Sequence, residues 1–319
     1  MIQEHAALVI IGGGPTGLSA AREAAKHGLE EVILLEREAE AGGAPRHCGH
    51  LGFGVRDFGR VQTGPRYAER LRNLTNGLDL RCTHAVTNVG PGGLVEVSGP
   101  QGSYRIEADR VLVATGIYEK SSAARLTPGG RPFGILTTGA LQRFAYFYGN
   151  IPCQAPIVVG TEIVAYSTIL TLRHFGAKPV AFIDSCPQLR TSAFVALGAR
   201  FIFGVPSFTG TWIASIEGEE QVTGVTVESL QGKRTVPCDG VVFSGDWVPE
   251  TTLIRASRLA IDPKTHGPVI DDYFRTQAPQ IFAAGNVLRS ARSAGTCALE
   301  GRAAARSIIA DLKASRGKH

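Results

Sequence analysis

The sequence contains few of the features that mark metal proteins, thiol enzymes, membrane proteins or nucleic-acid binders. Its six cysteines are scattered and none forms a Cys-x-x-Cys pair, so neither a zinc site nor a dithiol redox centre is expected. No apolar run approaches the roughly 20 residues that span a bilayer. The basic residues are scattered apart from residues 313–319, and no basic stripe is interleaved with aromatic residues. Nucleic acid is therefore not an expected partner.

We expect no secretory leader, because the first predicted strand starts close to Met1 without a charged and an apolar segment before it. The scattered cysteines suit a reducing compartment. With 319 residues, of which 44% are hydrophobic, the chain is long enough for two cores. We expect a cytoplasmic protein with no metal site and no transmembrane segment.

Glycine, in contrast, is abundant, and much of it follows short apolar runs. Residues 7–11 predict a strand buried on both faces, and Gly-Gly-Gly-Pro-Thr-Gly follows at residues 12–17. A helix is predicted over residues 15–27, ended by Gly28. A second buried strand, residues 31–35, ends at Glu36. This order of strand, G-x-G-x-x-G, helix, strand and acid predicts a dinucleotide site.

Each position of this motif has a physical role. Gly12 allows the sharp turn, Gly14 lets a pyrophosphate approach the backbone, and Gly17 lets the helix pack closely on the strand. The start of the helix offers free N–H groups and a partial positive charge to the phosphates. Glu36 lies where a carboxylate accepts hydrogen bonds from two ribose hydroxyls.

The same pattern occurs a second time over residues 156–184. The spacing from Gly160 to Gly176 equals that from Gly12 to Gly28, at 16 residues, and Asp184 closes the second strand as Glu36 closes the first. Two such units in matching register predict an α/β fold with two Rossmann-like domains.

The second copy departs from the motif where a phosphate would bind. Glu162 stands at the place of Gly14, and Ala165 at the place of Gly17. A carboxylate about 4 Å from a phosphate costs roughly 4 kcal/mol at an effective dielectric constant of about 20. Asp184 remains placed for an adenosine ribose, and its charge would repel a 2′-phosphate. Three alternatives stay open: weak binding of NAD(H), another adenine nucleotide in a shifted pose, or no nucleotide.

Two later segments return the chain to the first domain. Residues 111–114 predict a strand followed by Thr115 and Gly116, and residues 281–286 repeat that pattern before a helix over residues 297–312. The second domain, residues 123–245, is therefore predicted to be inserted into the first, residues 1–122 and 246–319. The crossing segments are expected at residues 130–150 and 245–249.

The length and this nesting resemble thioredoxin reductase and other pyridine nucleotide-disulfide oxidoreductase-like FAD flavoproteins. The resemblance implies that the first domain binds FAD. It also marks a difference, because thioredoxin reductases carry their redox Cys-x-x-Cys where this chain has Leu-Thr-Thr-Gly-Ala at residues 136–140.

Four segments resemble more closely the larger (alpha) subunit of heteromeric FAD-dependent dehydrogenases, which act on opines, proline, D-hydroxyproline or glycine; hydrogen cyanide synthase belongs with them. They are GGAPRHCGH at residues 42–50, TGPRYA at 63–68, GILTTGAL at 134–141 and VVGTE at 158–162. The resemblance implies a separate amine-oxidising flavoprotein subunit as partner. It implies that an iron–sulfur cluster, where one is used, comes from another subunit, because this sequence lacks the cysteine-rich module of long members. It also allows ATP in the second domain.

The glycine motif and the resemblance together predict which residues contact the cofactors. Asn286 takes the place of the usual Asp beside the ribityl chain and keeps one acceptor oxygen. The start of the last helix is expected to face the flavin and stabilise its anionic reduced ring. Predicted FAD contacts are Gly12, Gly14, Pro15, Thr16, Gly17, Glu36, Arg37, Gly43, Arg46, Val86, Thr115, Gly116, Gly285, Asn286, Gly295 and Thr296; predicted contacts of a second nucleotide are Gly160, Glu162 and Asp184.

No catalytic triad or pair of carboxylates is recognisable, and the candidates for chemistry are Cys48 and His47. Either they border the flavin and assist electron or proton transfer, or their loop only packs on the cofactor, with Arg46 pairing a phosphate. Glu119 is interpreted as a salt-bridge partner, with a catalytic acid as the alternative. Three functions remain: an electron-transfer subunit of a heteromeric dehydrogenase, a stand-alone NAD(P)H-dependent oxidoreductase or peroxidase using Cys48, and an assembly subunit that holds FAD without turnover.

Overall fold

A computed structural model describes residues 3–316 and divides the chain into two compact units. Unit 1 contains the described residues up to Arg46, then Leu51–Tyr118, and the described residues from Val248 onward. Unit 2 contains His47–His50 and Glu119–Trp247. One unit is thus inserted into the other.

The chain enters unit 2 between Tyr118 and Glu119, earlier than the crossing segment expected at residues 130–150. It returns between Trp247 and Val248, inside the expected segment 245–249. A further short segment, His47–His50, also belongs to unit 2. Most of residues 130–150 forms a strand and a helix of unit 2, which is why the crossing lies before them.

The strands of both units are numbered in chain order. Within residues 3–316 they are β1 (Gln3–Ile11), β2 (Val32–Leu35), β3 (Leu51–Phe53), β4 (Gln62–Thr63), β5 (Asp79–Arg81), β6 (Ala85–Val89), β7 (Leu94–Gly99), β8 (Gly102–Val113), β9 (Ile117–Glu119), β10 (Ile135–Thr137), β11 (Ile157–Val159), β12 (Ala181–Asp184), β13 (Ser207–Thr209), β14 (Trp212–Glu217), β15 (Gly224–Ser229), β16 (Gly232–Pro237), β17 (Val241–Phe243), β18 (Trp247–Pro249) and β19 (Ile281–Ala283).

The helices of the same residues vary widely in length, and none of them is both long and apolar enough to cross a membrane. The α-helices are α1 (Pro15–Lys26), α2 (Val55–Phe58), α3 (Gly64–Asn73), α4 (Thr138–Tyr148), α5 (Ile163–His174), α6 (Ala193–Phe203), α7 (Thr252–Ala256) and α8 (Ala294–Arg316). Short 3₁₀ helices span Ala44–His47, Pro91–Gly93 and Gly285–Leu288.

The main sheet of unit 1 has the strand order β5-β2-β1-β8-β7-β6, and β19 also pairs with β8. β5, β2, β1, β8 and β19 are parallel, whereas β6, β7 and β8 form an antiparallel meander. Because parallel strands are covered on both faces, they are continuously apolar, as in the fully buried Val32–Leu35. The carboxyl ends of β1, β8 and β19 meet at one edge of this sheet, where Gly12, Thr115 and Gly285 follow.

Helices α1 and α8 pack together on one face of that sheet. The approach is close at Gly301, where an added Cβ would lie 2.1 Å from the Thr16 carbonyl oxygen. Helix α8 begins at Ala294 and extends to Arg316, beyond the predicted residues 297–312 at both ends. The last helix therefore covers the first, and its amino-terminal turns lie beside the turn that follows β1.

Unit 2 is built on a parallel sheet of order β10-β17-β11-β12-β13, with a separate antiparallel sheet β14-β15-β16. Alternate residues of its central strand β11 serve two cores. Val158 packs with residues of α4, α5 and α6, and Ile157 packs with residues of the antiparallel sheet. The order β11, α5, β12 repeats the order β1, α1, β2 of unit 1.

Candidate cofactor site

Two glycines of the turn after β1 are required by the protein itself. Gly12 has φ +108°, and an added Cβ would lie 2.5 Å from the Ala114 carbonyl oxygen. A Cβ at Gly17 would lie 1.9 Å from the carbonyl oxygen of Gly12. Both contacts are far below van der Waals distance, so glycine is the only residue that fits either position.

Gly14 differs, because neither its backbone nor its neighbours demand glycine. It has φ −80° and ψ −173°, an extended conformation open to any residue, and the nearest atom to an added Cβ is the Cα of Gly43 at 4.0 Å. Gly14 is the N-cap of α1, no described side chain caps this helix, and Pro15 occupies its first turn. The space beside the helix start is open, as a bound diphosphate requires.

The Glu36 carboxylate is buried and fixed next to that turn. One oxygen, Oε2, accepts a hydrogen bond from the Gly13 N–H at 2.7 Å, and the other, Oε1, accepts from the Glu38 N–H at 2.8 Å. An ionised carboxylate has about four acceptor positions. The remaining ones are available to two ribose hydroxyls.

The two arginines predicted to contact FAD differ in their surroundings. Arg37 is exposed. Arg46 donates from Nη1 to the Glu40 carbonyl oxygen at 2.9 Å, and its Nη2 lies 3.4 Å from the Glu40 carboxylate. Gly43, with φ +61°, approaches the turn so closely that an added Cβ would lie 3.0 Å from the Cα of Gly14. Gly43 therefore borders the open space, and Arg46 is engaged by Glu40.

The predicted FAD contacts after β8 and in β6 are hydrogen-bonded or paired within unit 1. The Thr115 hydroxyl donates to the Glu250 carbonyl oxygen at 2.7 Å, and the Glu250 N–H donates to the Gly116 carbonyl oxygen at 2.9 Å. Gly116 has φ +78° with no atom within 4 Å of an added Cβ. Val86 pairs with Val97 in the β6–β7 ladder.

The turn after β19 contacts the start of α1 directly. Gly285 has φ +84°, and an added Cβ would lie 2.2 Å from the Thr16 hydroxyl oxygen. Asn286 was expected to face the ribityl chain. Its amide accepts from the Arg292 N–H at 2.9 Å and donates to the Arg292 carbonyl oxygen at 3.2 Å, and the contact with the ribityl chain stays a prediction. An amide side chain has both a donor and an acceptor, so it can make this pair of hydrogen bonds, whereas an ionised Asp has no donor.

The start of α8 is capped by a side chain of unit 1. The Ser293 hydroxyl oxygen accepts from the Thr296 N–H at 3.3 Å and lies 2.9 Å from the Thr296 hydroxyl. Gly295 fits tightly against α2, because an added Cβ would lie 3.1 Å from Asp57 Oδ1. Gly295, which is a predicted flavin contact, therefore also allows α8 to pack closely on α2.

The corresponding turn in unit 2 carries a side chain at its N-cap. Gly160 has a positive φ of +123°, as Gly12 does in unit 1. The N-cap residue Glu162 has φ −79° and ψ 166°. The Glu162 carboxylate accepts from the Ala165 N–H at 3.4 Å and from the Ser244 hydroxyl. Burial raises the pKa of Glu162. The amino-terminal end of α5 is therefore capped from within the protein.

Asp184 is almost completely buried at the end of β12. Its Oδ1 accepts from the Cys186 N–H at 2.9 Å, and its Oδ2 accepts from the Thr161 hydroxyl at 2.7 Å and lies 3.4 Å from Arg190 Nε. It lines a cleft of about 230 Å³, together with Gly160 and Trp212. The three residues predicted for a second nucleotide, Gly160, Glu162 and Asp184, thus lie close together.

Cys48 and His47 pack against helix α4 of unit 2. The Cys48 thiol donates to Gln142 Oε1 at 3.4 Å, and the His47 ring meets the Phe147 ring edge-on with centroids 5.7 Å apart. Although Cys48 is half-buried as a residue, burial raises the pKa of its thiol to about 12. A thiol with this pKa is not a nucleophilic thiolate at neutral pH.

Glu119 accepts a hydrogen bond from the backbone at the start of α4, a contact that the sequence did not indicate. It is buried, and its Oε2 accepts from the Gly139 N–H at 2.7 Å, at the start of α4. Its other oxygen, Oε1, has no hydrogen-bond partner among the described residues. Burial raises the pKa of this carboxyl to about 7. The sequence could not show this, because the shift depends on burial by residues distant in the chain.

A model of the pyridine nucleotide-disulphide oxidoreductase family matches residues 6–301. The chain belongs to this family. It is 25% identical to an opine oxidase subunit of Rhizobium meliloti, over 98% of this chain and 64% of that protein. It is 26% identical to hydrogen cyanide synthase subunit HcnB of Pseudomonas protegens, over 94% and 70%. It is 28% identical to the alpha subunit of sarcosine oxidase from a Corynebacterium species, over 85% of this chain but 29% of that protein.

Solved structures show the fold of this pyridine nucleotide-disulphide oxidoreductase. Thioredoxin reductase of T. acidophilum superimposes with a TM-score of 0.81 at 22% identity, covering 97% of this chain and 99% of that one. L-proline dehydrogenase of P. horikoshii gives a TM-score of 0.71 at 21% identity, covering 98% and 57%. The predicted family, the α/β fold with two Rossmann-like domains and the class of FAD-dependent oxidoreductase are thereby confirmed.

The residues of unit 1 fit the FAD that the family implies. The open start of α1 beside Gly14 and the anchored carboxylate of Glu36 are separate groups prepared for a diphosphate and a ribose. Elsewhere among residues 3–316, no group of three His, Cys, Asp or Glu side chains is arranged to hold a metal ion.

Proposed function

We propose that this chain is the FAD-binding electron-transfer subunit of a heteromeric dehydrogenase that oxidises an amino acid or imino acid. The observation that carries the proposal is the open dinucleotide turn of unit 1, and the candidate thiol Cys48 is hydrogen-bonded to Gln142. The amine is oxidised by a separate flavoprotein subunit, and this chain passes the electrons on. Its six free thiols suit a reducing compartment, and we include a cytoplasmic location in the proposal.

The residues of unit 1 divide the work of holding FAD. The α1 start binds the diphosphate through its free N–H groups, and Glu36 binds the adenosine ribose. Gly116 leaves space along the cofactor, Gly43 packs against the α1 start, and Gly285 holds the last sheet turn against Thr16. The bound flavin supplies the redox chemistry, while the protein positions it and shields it from water.

The cysteines argue against a disulfide reductase. All six are free, and burial raises the pKa of Cys153 to about 12 and those of Cys238 and Cys297 to about 11. Cys48 has a similarly raised pKa and bonds to Gln142. The same geometry does not favour the alternative of a stand-alone oxidase or peroxidase that uses Cys48, because such an enzyme needs a thiolate.

The names of the relatives favour a subunit role and a class of substrate. Opine oxidase, hydrogen cyanide synthase and sarcosine oxidase are each represented by one subunit, and a solved relative in fold is a proline dehydrogenase. These names favour opines, sarcosine and proline as candidate substrates of the complex, and the sequence resemblance adds hydroxyproline and glycine. We include an iron–sulfur subunit among the proposed partners, where the complex uses such a cluster.

The test is to purify the tagged protein from its own cells and identify the proteins that accompany it. We expect a second flavoprotein in fixed stoichiometry. The complex is then mixed anaerobically with proline, hydroxyproline, glycine or an opine while the flavin absorbance is followed. Bleaching of the flavin in this chain by one of these compounds supports the proposal. A flavoprotein that purifies alone and is bleached rapidly by NADH would favour the stand-alone oxidoreductase, and an unreactive flavin in the intact complex would favour an assembly subunit.

A further inference from the structure

The start of α5 is the place where unit 2 departs from a dinucleotide-binding turn. The diphosphate of a dinucleotide lies against the first N–H groups of such a helix. In this chain the N-cap Glu162 has nearly the same backbone conformation as Gly14, with φ −79° against −80°. Its side chain therefore occupies the space that is open beside Gly14.

The Glu162 carboxylate is held there on two sides. It accepts from the Ala165 N–H at 3.4 Å, which is one of the N–H groups that a phosphate would use, and from the Ser244 hydroxyl. An added Cβ at Gly245 would lie 3.6 Å from Glu162 Oε1, so the backbone also borders this carboxylate. Both its volume and its charge oppose a phosphate in this position.

The other group that a dinucleotide needs is also engaged by the protein. Asp184 accepts from the Cys186 N–H and the Thr161 hydroxyl, and Arg190 pairs with it. Among the described residues, the carboxylate of Glu36 in unit 1 accepts hydrogen bonds only from two backbone N–H groups. The nicotinamide dinucleotide that the family name implies for a second domain therefore does not fit the residues present.

We propose that Glu162 excludes nicotinamide dinucleotides from unit 2 by placing its carboxylate where their diphosphate would bind. This deepens the proposed function, because a flavin that exchanges electrons with protein partners has no need of a nicotinamide site in its own chain. Glu162 is thus a specificity-determining residue, and its replacement by glycine recreates the turn found in unit 1.

Equilibrium binding of NADH to the holoprotein tests this proposal without reference to turnover. Trp212 lines the cleft and is one of two tryptophans, so quenching of tryptophan fluorescence reports its occupancy. The variants are Glu162→Gly and Glu162→Ala. The matched control is Thr137→Gly, which removes a capping side chain from α4 in the same unit and leaves the α5 turn unchanged. Circular dichroism establishes that each variant is folded.

We expect no saturable NADH binding by the wild type or by Thr137→Gly. Glu162→Gly should tighten NADH binding by at least about a hundred-fold, since a carboxylate near a phosphate weakens binding by up to roughly three decades. Glu162→Ala should gain less, and it decides the question if the glycine variant does not fold. Wild-type protein that binds NADH in the micromolar range would overturn the proposal, as would folded Glu162 variants that gain no affinity. Because binding is measured directly, the outcome is independent of whether an amine-oxidising partner is found.

Discussion

The two strand–turn–helix motifs of this chain have similar backbone conformations, but the space at the helix start is open in unit 1 and filled by a side chain in unit 2. Gly12 and Gly160 both have positive φ, and the N-cap residues Gly14 and Glu162 have nearly equal φ and ψ. In unit 1 no described side chain caps the helix start, whereas in unit 2 a carboxylate caps it. The fold therefore provides the turn, and one side chain decides whether the turn binds a phosphate or is closed by the protein.

The largest effect is expected from placing the unit 2 side chain into unit 1. Gly14→Glu should weaken FAD binding by roughly a thousand-fold, because a carboxylate about 4 Å from a phosphate costs roughly 4 kcal/mol at an effective dielectric constant of about 20. The measurement is the flavin content of the purified variant and its affinity for added FAD. Gly14→Ala, whose Cβ lies 4.0 Å from the nearest protein atom, separates the effect of the carboxylate from that of a methyl group and should weaken FAD binding less. FAD binding by Gly14→Glu at wild-type strength would show that the diphosphate lies elsewhere.

A smaller effect should follow from removing the acid after β2. Glu36→Ala should weaken FAD binding about 10-fold to 100-fold, since hydrogen bonds to a charged group contribute about 1.5–3 kcal/mol. It should also lower stability by about 1–3 kcal/mol, because the Gly13 and Glu38 N–H groups lose their acceptor. Fluorescence titration of the apoprotein with FAD and thermal unfolding measure the two effects. The matched change Asp184→Ala in unit 2 should leave FAD affinity unchanged, and an equal loss in both variants would contradict the difference between the units.

Glu119 predicts a pH dependence of stability that belongs to unit 2. Its pKa is raised from an ordinary value of 4.5 to about 7, so the folded protein binds a proton that the unfolded chain releases between these pH values. The contribution is therefore fully present below pH 4.5 and is lost as the pH rises to about 7, by an amount on the order of a few kcal/mol.

Glu119→Gln should flatten this dependence, because the amide keeps an acceptor for the Gly139 N–H and does not titrate. Thermal unfolding at several pH values between 4.5 and 7, compared between wild type and variant, is the measurement. Equal slopes in the two proteins would mean that Glu119 ionises normally in the fold.

The smallest effect is expected at Cys48. Cys48→Ser should change the rate of flavin reduction by less than about two-fold, because the thiol has a pKa of about 12 and bonds to Gln142 instead of acting as a nucleophile. Stopped-flow absorbance measures this rate when the complex is mixed anaerobically with its amine substrate. A loss of a hundred-fold or more would restore the single-cysteine mechanism.

Much of this architecture follows from the sequence because its signals are local. Short apolar runs closed by glycine predicted the β1–α1–β2 and β11–α5–β12 units, and the equal spacing of Gly12–Gly28 and Gly160–Gly176 predicted their likeness. Glu162 was already visible as a departure from the motif. Its bond to Ser244 was not, since the two residues are 82 positions apart.

What the sequence did not reveal depends on which groups meet once the chain has folded. The hydrogen bond between Cys48 and Gln142 joins residues that are 94 positions apart and places the segment His47–His50 with α4 in unit 2, while the position of Cys48 relative to the flavin stays a prediction. The Asn286 amide bonds to the Arg292 backbone, six residues away, and its contact with the ribityl chain stays a prediction. Neither contact has a signature in residue type or spacing.

The identity and amount of the small molecules released when the purified protein is denatured test the central claim most directly. The contrast between the open turn at Gly14 and the closed turn at Glu162 predicts one FAD per chain and no nicotinamide dinucleotide. Protein that releases no FAD, or releases stoichiometric NAD(H) or NADP(H), would contradict it.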